Sequence, residues 1–201
     1  MKPVAILFAR APRLGTVKRR LARDVGDRAA LDFHRAHLTR LARALATDRC
    51  VHPVLALTPD RARPRLPVPP GRLRVVPQGQ GDLGRRMARA FARFPRRRVV
   101  LFGCDIPLAG MADIRAALAA LGRADAVFGP AEDGGYWLVG MGPRRPARPF
   151  AAVRWSGPHA LADTRRNFAG RRVAFGRTLW DVDDVASYRR WRALDRKINT
   201  G

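Results

Sequence analysis

Short apolar runs alternating with amphipathic segments predict an α/β layered fold around a mostly parallel sheet. Three observations carry this reading. Residues 4–9 (Val-Ala-Ile-Leu-Phe-Ala) and 99–102 (Val-Val-Leu-Phe) are continuous apolar runs of the kind buried on both faces of a parallel sheet. Leu31, His34, Leu38, Leu41 and Leu45 recur at helical spacing between such runs. Turns bearing glycine, arginine or aspartate follow the runs, at the strand ends where open α/β sheets hold ligands.

Taken in order, residues 4–9 form the first strand and lead into a basic, glycine-containing loop that enters a helix. The periodic segment predicts an amphipathic helix over about residues 28–46, followed by a second strand at 54–58. Residues 59–71 are rich in Pro and Arg without a period and read as a surface loop, and 73–76 as a short third strand. Asp82 is placed to cap a helix carrying Leu83, Met87, Ala90, Phe91 and Phe94. A central strand at 99–102 stops at Gly103, and a helix follows over 111–121. Strands at 126–128 and 136–140, a helix at 158–166, a late strand at 172–175 and a terminal helix at 185–194 complete the pattern.

The chain has 201 residues, 47% of them apolar, which suits one sizeable core, so a single domain over residues 1–201 is expected. Its formal net charge is +24. Basic residues run through almost every segment, and only Lys2, Lys18 and Lys197 among the 40 are lysines, which reads as a general preference for arginine. No specific nucleic-acid partner is expected, and an anionic small molecule is the better fit. No stretch approaches the roughly 20 apolar residues that span a bilayer, and the first run is too short for a signal-peptide core, so a cytoplasmic protein is expected. Cys50 and Cys104 form no metal-ligand motif. Cys50 reads as core or near-core, and Cys104 has no histidine near it in sequence to make it a nucleophile. His34, His37, His52 and His159 lack metal-ligand spacing and read as structural or surface residues.

Candidate chemistry lies at the strand ends. Residues 129–138 set Glu132 and Asp133 beside Gly134 and Gly135 at the start of an aromatic strand, a pattern that fits a ligand site or a plain hairpin turn. In the first loop Arg10, Arg13, Lys18, Arg19 and Arg20 surround Gly15, which suits phosphate or a solvated basic face. The loop is neither a P-loop nor a GxGxxG fingerprint. Asp105 follows the central strand between Gly103 and Pro107, where a carboxylate holds a hard cation such as Mg2+ or Mn2+, or caps a turn. Asp181 and Asp183 alternate on an extended segment, and one of them reaches Asp105 if the last strand lies near the sheet centre; Asp184 is better placed to cap the terminal helix. In the turn 78–87, Gln80 and Arg85 are candidates to read a base edge or phosphate, and Trp155 is a candidate to stack on a sugar or base or to pack in the core.

Jointly, Phe8-Ala9-Arg10-Ala11-Pro12, Gly15 to Leu21, Gln80 to Met87, Gly103 to Pro107, Gly129 to Gly140, Trp155-Ser156 and Asp181 to Asp184 closely resemble the DUF2064 family over essentially the whole chain. This is a group of small glycosyltransferase-like proteins related to the GT-A and nucleotidyltransferase superfamily. The resemblance implies a three-layer GT-A-like sandwich, phosphate contacts from Arg10, Gly15 and Lys18, and a divalent ion on Asp105 with Asp183 as second ligand. The chain departs from the family pattern at Lys18-Arg19-Arg20-Leu21, where Lys-Thr-Arg-Leu is usual, and at Cys104, where serine is usual. Neither change removes a needed charge, but Arg19 bears on how tightly the loop closes around phosphate.

The expected function is a metal-dependent, glycosyltransferase-like enzyme using a nucleotide-activated donor and a small-molecule acceptor. Asp105, Asp133 and Lys18 are its candidate catalytic residues, Mg2+ or Mn2+ its cofactor, and Arg10, Arg13, Gly15, Gln80, Arg85, Gly134, Gly135 and Trp155 complete the binding set. The alternatives are a nucleotidyltransferase that passes the nucleotidyl group of a nucleoside triphosphate to a phosphorylated small molecule, and a non-catalytic nucleotide- or RNA-binding protein. Few interleaved aromatics are present to stack single-stranded bases, which weighs against RNA.

Overall fold

The computed structural model describes residues 1–199. Its strands are β1 (Val4–Arg10), β2 (His52–Thr58), β3 (Arg74–Pro77), β4 (Val99–Gly103), β5 (Ala126–Pro130), β6 (Tyr136–Met141) and β7 (Val173–Phe175). Its helices are α1 (Arg19–Thr47), α2 (Leu83–Ala92), α3 (Met111–Ala120), α4 (Ala160–Arg166) and α5 (Val185–Asn199). The strands form one sheet in the order β3-β2-β1-β4-β6-β5-β7. All neighbours run parallel except β6, which is antiparallel to both β4 and β5. The reason is local: Ala131 N–H donates to Gly135 O at 3.0 Å and Gly134 N–H to Ala131 O at 3.1 Å. So tight a turn reverses the chain, whereas a parallel partner needs a long crossover.

Alternation along the strands assigns side chains to two layers. Ala5, Leu7 and Ala9 of β1 face a core closed by Leu38 and Leu41 of α1 and Ile114 and Leu118 of α3. Val4 and Ile6 face the opposite core, closed by Met87 and Phe91 of α2 with Phe150 and Phe168. Burying both faces explains the continuous apolar runs. A third cluster joins Leu21, Ala30 and Phe33 of α1 to Trp180 and Val182, with Tyr188 and Trp191 of α5 packed on it.

Three features differ from the sequence-based expectation. Helical residues already begin at Arg19, ahead of the amphipathic stretch expected from about residue 28, and Gly26, at φ 83° and ψ 153°, kinks α1 between the two stretches. Cys50 is exposed rather than near-core. It lies in the turn after α1, where Asp48 is drawn inward: Asp48 accepts from the Cys50 backbone N–H at 2.7 Å and from Arg115 at 2.8 Å. The last strand, β7, lies at the sheet edge and not near its centre. Its continuation reaches the site by another route. Leu179 bridges to Ala131, and Val182 N–H donates to Asp105 O at 3.1 Å, so residues 179–183 cross the carboxyl ends of the strands before α5 docks on α1.

Candidate active site

At those carboxyl ends two cavities of about 360 Å³ each lie side by side, sharing Phe8, Leu83 and Asp105 as a common wall. One is basic, bounded by Arg10, Lys18, Arg19, Arg20 and Arg86. The other is acidic and aromatic, bounded by Asp105, Asp133, Asp181, Tyr136 and Trp155 over an apolar floor that includes Met87 and Leu101. Asp105 stands at the seam.

Asp105 follows β4 directly, and its Oδ2 lies 2.8 Å from Lys18 Nζ. The same ammonium lies 3.6 Å from Asp183 Oδ1, so the two carboxylates named from sequence converge on one positive centre. Asp183 also accepts from Arg20 at 3.2 Å. Lys18 leads into α1 from a left-handed backbone, φ 48°, which turns its side chain inward, where 5% of it is exposed. Burial alone would lower the Lys18 pKa, but the Asp105 and Asp183 carboxylates outweigh it and the net direction is up. Burial likewise pushes the Asp105 carboxyl up, and the charge and hydrogen bond of Lys18 overcome this, holding it far below the usual carboxylate range. Asp181 goes the other way: burial and the neighbouring Asp183, Asp133 and Asp105 raise its pKa against the pull of Lys18. Asp184 caps α5 as expected, accepting from Ser187 N–H at 2.8 Å.

Several sequence candidates are not brought to these cavities. Arg85 faces a separate hollow beside Phe150, and Gln80 is exposed with its carbonyl bound by Arg89. Successive helical residues diverge by about 100°, so it is Arg86 that enters the basic cavity. Gln78, buried to 2% exposure, holds it there. Its Nε2 donates to Ala9 O and Ala56 O, each at 2.9 Å, and its Oε1 accepts from Arg86 at 2.9 Å. Arg13 is exposed in a different hollow, and Gly15, at φ 70°, shapes the loop without lining either cavity. Gly135 lines the acidic cavity, but Gly134 serves the chain itself: a Cβ there would meet Pro158 O at 2.3 Å, and Leu161 N–H donates to its carbonyl. Glu132 is drawn away by Arg190 of α5 at 2.7 Å, while Asp133 stays at the cavity wall with Oδ1 accepting from Gly135 N–H at 2.9 Å. Trp155 combines both of its expected roles, packing against Phe150 and Tyr136 while lining the cavity.

His34 is buried as a structural residue would be, with Nε2 2.8 Å from Arg10 O. It lies on the buried face of α1, where its helical spacing with four leucines reads as core, yet its ring reaches the seam: Nδ1 is 3.6 Å from Asp105 Oδ1 and 3.9 Å from Cys104 Sγ. Distance along the chain had hidden both the contact and a cluster of three potential ligand atoms within 4.8 Å of one another. Cys104 nevertheless lacks the activation of a nucleophile, because burial and then Asp105 raise its thiol pKa well above the usual range.

The sequence model of a family described as an uncharacterized protein conserved in bacteria, DUF2064, matches residues 41–157. A crystal structure from Desulfovibrio desulfuricans G20, provisionally named a nucleotide-diphospho-sugar transferase, is 30% identical with a TM-score of 0.76 over 92% of this chain and 84% of that one. The 4-diphosphocytidyl-2C-methyl-D-erythritol synthase from Anaerococcus prevotii DSM 20548 superposes with a TM-score of 0.60 at 11% identity, over 97% of this chain and 96% of its own. A CMP:2-keto-3-deoxy-manno-octonic acid synthetase complexed with CTP gives 0.51 at 13%, covering 98% and 99%. At such identities the last two share the fold. No curated protein matches by sequence. The architecture is thus nucleotide-diphospho-sugar transferase-like.

Proposed function

The chain belongs to the DUF2064 family, and from that premise we propose that it is a transferase acting on a nucleotide-activated donor, with glycosyl transfer as the leading reaction. The observation that carries this reading is the pairing of an arginine-rich cavity with a carboxylate- and aromatic-lined one across Asp105. Burial first and then the charge of Arg10 lower the Arg86 pKa against the pull of Asp82, and among the described residues no carboxylate forms a salt bridge with Arg10 or Arg86. Such a pair accepts the diphosphate of a donor. The neighbouring cavity suits a sugar, with carboxylates for hydroxyl groups and the rings of Tyr136 and Trp155 for its apolar faces.

A hard divalent ion fits the residues present. Asp105 and Asp183 supply oxygen ligands from distant segments, their side chains are 38% and 44% exposed, and both already address one cation, the Lys18 ammonium. When bound there, Mg2+ or Mn2+ supplies Lewis-acid neutralisation of the departing diphosphate. The chain's own groups do the rest. Lys18 keeps Asp105 ionised. Gln78 fixes Arg86 toward the phosphates. Asp181, whose raised pKa suits proton transfer, receives the proton of the acceptor hydroxyl as it attacks the sugar carbon.

Incubation with a panel of nucleotide sugars and nucleoside triphosphates, each with and without Mg2+ or Mn2+, tests the proposal. Nucleoside diphosphate released with acceptor-dependent turnover is expected. Pyrophosphate from a triphosphate would transfer the assignment to nucleotidyl chemistry, and neither product nor nucleotide binding would overturn it.

A further inference from the structure

We propose that His34, Cys104 and Asp105 form a binding site for a borderline transition-metal cation such as Zn2+, separate in chemistry from the hard-ion role proposed for Asp105 and Asp183. One ligand atom from each of the three lies within 4.8 Å of the others. The separations are 3.6 Å for His34 Nδ1 to Asp105 Oδ1, 3.9 Å for Nδ1 to Cys104 Sγ and 3.2 Å for Sγ to Oδ1. Tetrahedral zinc with ordinary bond lengths places nitrogen and oxygen about 3.3 Å apart and sulfur about 3.6 Å from either. Each observed separation therefore needs a shift of a few tenths of an ångström, within side-chain reach.

The donor set and its support match as well. His34 Nε2 sits 2.8 Å from Arg10 O, and because a carbonyl only accepts, Nε2 carries the proton and Nδ1 presents its lone pair inward. A hydrogen bond of this kind, from the far ring nitrogen to a carbonyl, fixes the orientation of metal-ligating histidines. Thiol and imidazole favour zinc over magnesium. All three residues line the basic cavity, which gives the ion access and leaves a fourth position for water. Asp105 divides its oxygens, Oδ2 to Lys18 and Oδ1 to this cluster. On binding, the Cys104 S–H bond breaks, a sulfur–metal bond forms and the proton leaves to solvent. The thiolate, Asp105 and Asp183 then balance the ion and Lys18. A serine at position 104 would offer no thiolate, so the site depends on the cysteine of this chain.

The test is titration of the reduced, chelator-treated full chain with Co2+, followed by displacement with Zn2+. The wild-type protein should bind one Co2+ with a thiolate-to-cobalt charge-transfer band, which Zn2+ abolishes and excess Mg2+ leaves unchanged. Cys50→Ser should keep the band. Cys104→Ser should lose it and, like His34→Gln, weaken Zn2+ by roughly a hundredfold. Circular dichroism shows whether each variant is folded, and Cys104→Ser, which exchanges sulfur for oxygen and little else, decides the matter if the histidine variant is not. No band in the wild type, a band that survives Cys104→Ser, one lost in Cys50→Ser, or one removed by Mg2+ would each overturn the proposal.

Discussion

Asp163 and Asp105 are both carboxylates drawn in from solvent and matched to cations, yet they end in different states. Asp163, with 1% of its side chain exposed, has both oxygens engaged: Arg154 donates to them at 2.8 and 2.9 Å, the Arg154 backbone N–H adds a third bond, and Arg166 lies at 2.9 Å. That carboxylate is a clasp between α4 and the loop before it. Asp105 has one close cation, a half-exposed side chain and an oxygen whose remaining neighbours are more than 3 Å away. A saturated ion pair stabilises one conformation, whereas an unsaturated one keeps capacity for a ligand.

Paired substitutions separate the two carboxylates most decisively. Asp105→Asn should lower turnover by roughly a hundred- to thousandfold while circular dichroism stays native, because it removes the charge at the seam. Asp163→Asn should do the converse, reducing Tm by several degrees and leaving donor affinity unchanged. Equal effects on both readouts in both variants would erase the distinction.

Next in size, Arg86→Ala should weaken a nucleoside diphosphate about tenfold or more, some 1.4 kcal/mol, while leaving the nucleoside unaffected. Gln78→Leu should follow the same pattern more weakly, since it frees Arg86 without removing it. Isothermal titration with both ligands checks this, and a loss shared equally by the nucleoside would reduce Gln78 to a packing residue. Asp181→Asn should lower kcat more than it changes KM and should flatten the acid limb of the pH–rate profile. That limb is expected because the carboxyl must be ionised to take a proton.

The smallest effect is expected from a buried imidazole rather than a carboxylate. His37 is buried with neither ring nitrogen hydrogen-bonded, packed between Phe33 and Trp191. Burial first and Arg40 second lower its pKa to about 4, against opposing pulls from Asp105 and Asp195. The unfolded chain therefore takes up a proton near pH 6.5 that the folded one refuses until about pH 4, so stability falls as pH falls through that window. About 1 kcal/mol should be lost between pH 8 and pH 6 from this residue, and His37→Phe should remove that part of the slope in urea melts.

Much of this organisation was legible in the sequence because it rests on local rules. The buried strands follow from apolar runs, Asp82 caps α2 through its own side chain at 2.7 Å from Arg85 N, and Asp105 stands where a parallel strand ends. What escaped depends on direction or on tertiary closure. Gly79 and Gly81, both at positive φ, break the strand parity that would have placed Gln78 and Gln80 on one face. Arg85 and Arg86 are neighbours in sequence but diverge on a helix. His34 carried a usable signal, an imidazole on the buried face of a helix near strand ends, though a core role fits that pattern equally. Asp183 was named from its spacing, but its path over the strand ends from an edge strand is set by α5 docking on α1, which no local pattern encodes.

That path has a kinetic consequence. Arg20 and Asp183, which meet at the seam, are separated by 163 positions, and closing so long a loop comes late in the search for native contacts. The sheet is expected to gain most of its pairings before residues 179–183 are laid across it. Completion of the site is thus expected to be the final event of folding, and release of that crossing segment the first event of unfolding. Activity would then report on the integrity of the whole chain, vanishing in partly unfolded molecules whose secondary structure is still intact.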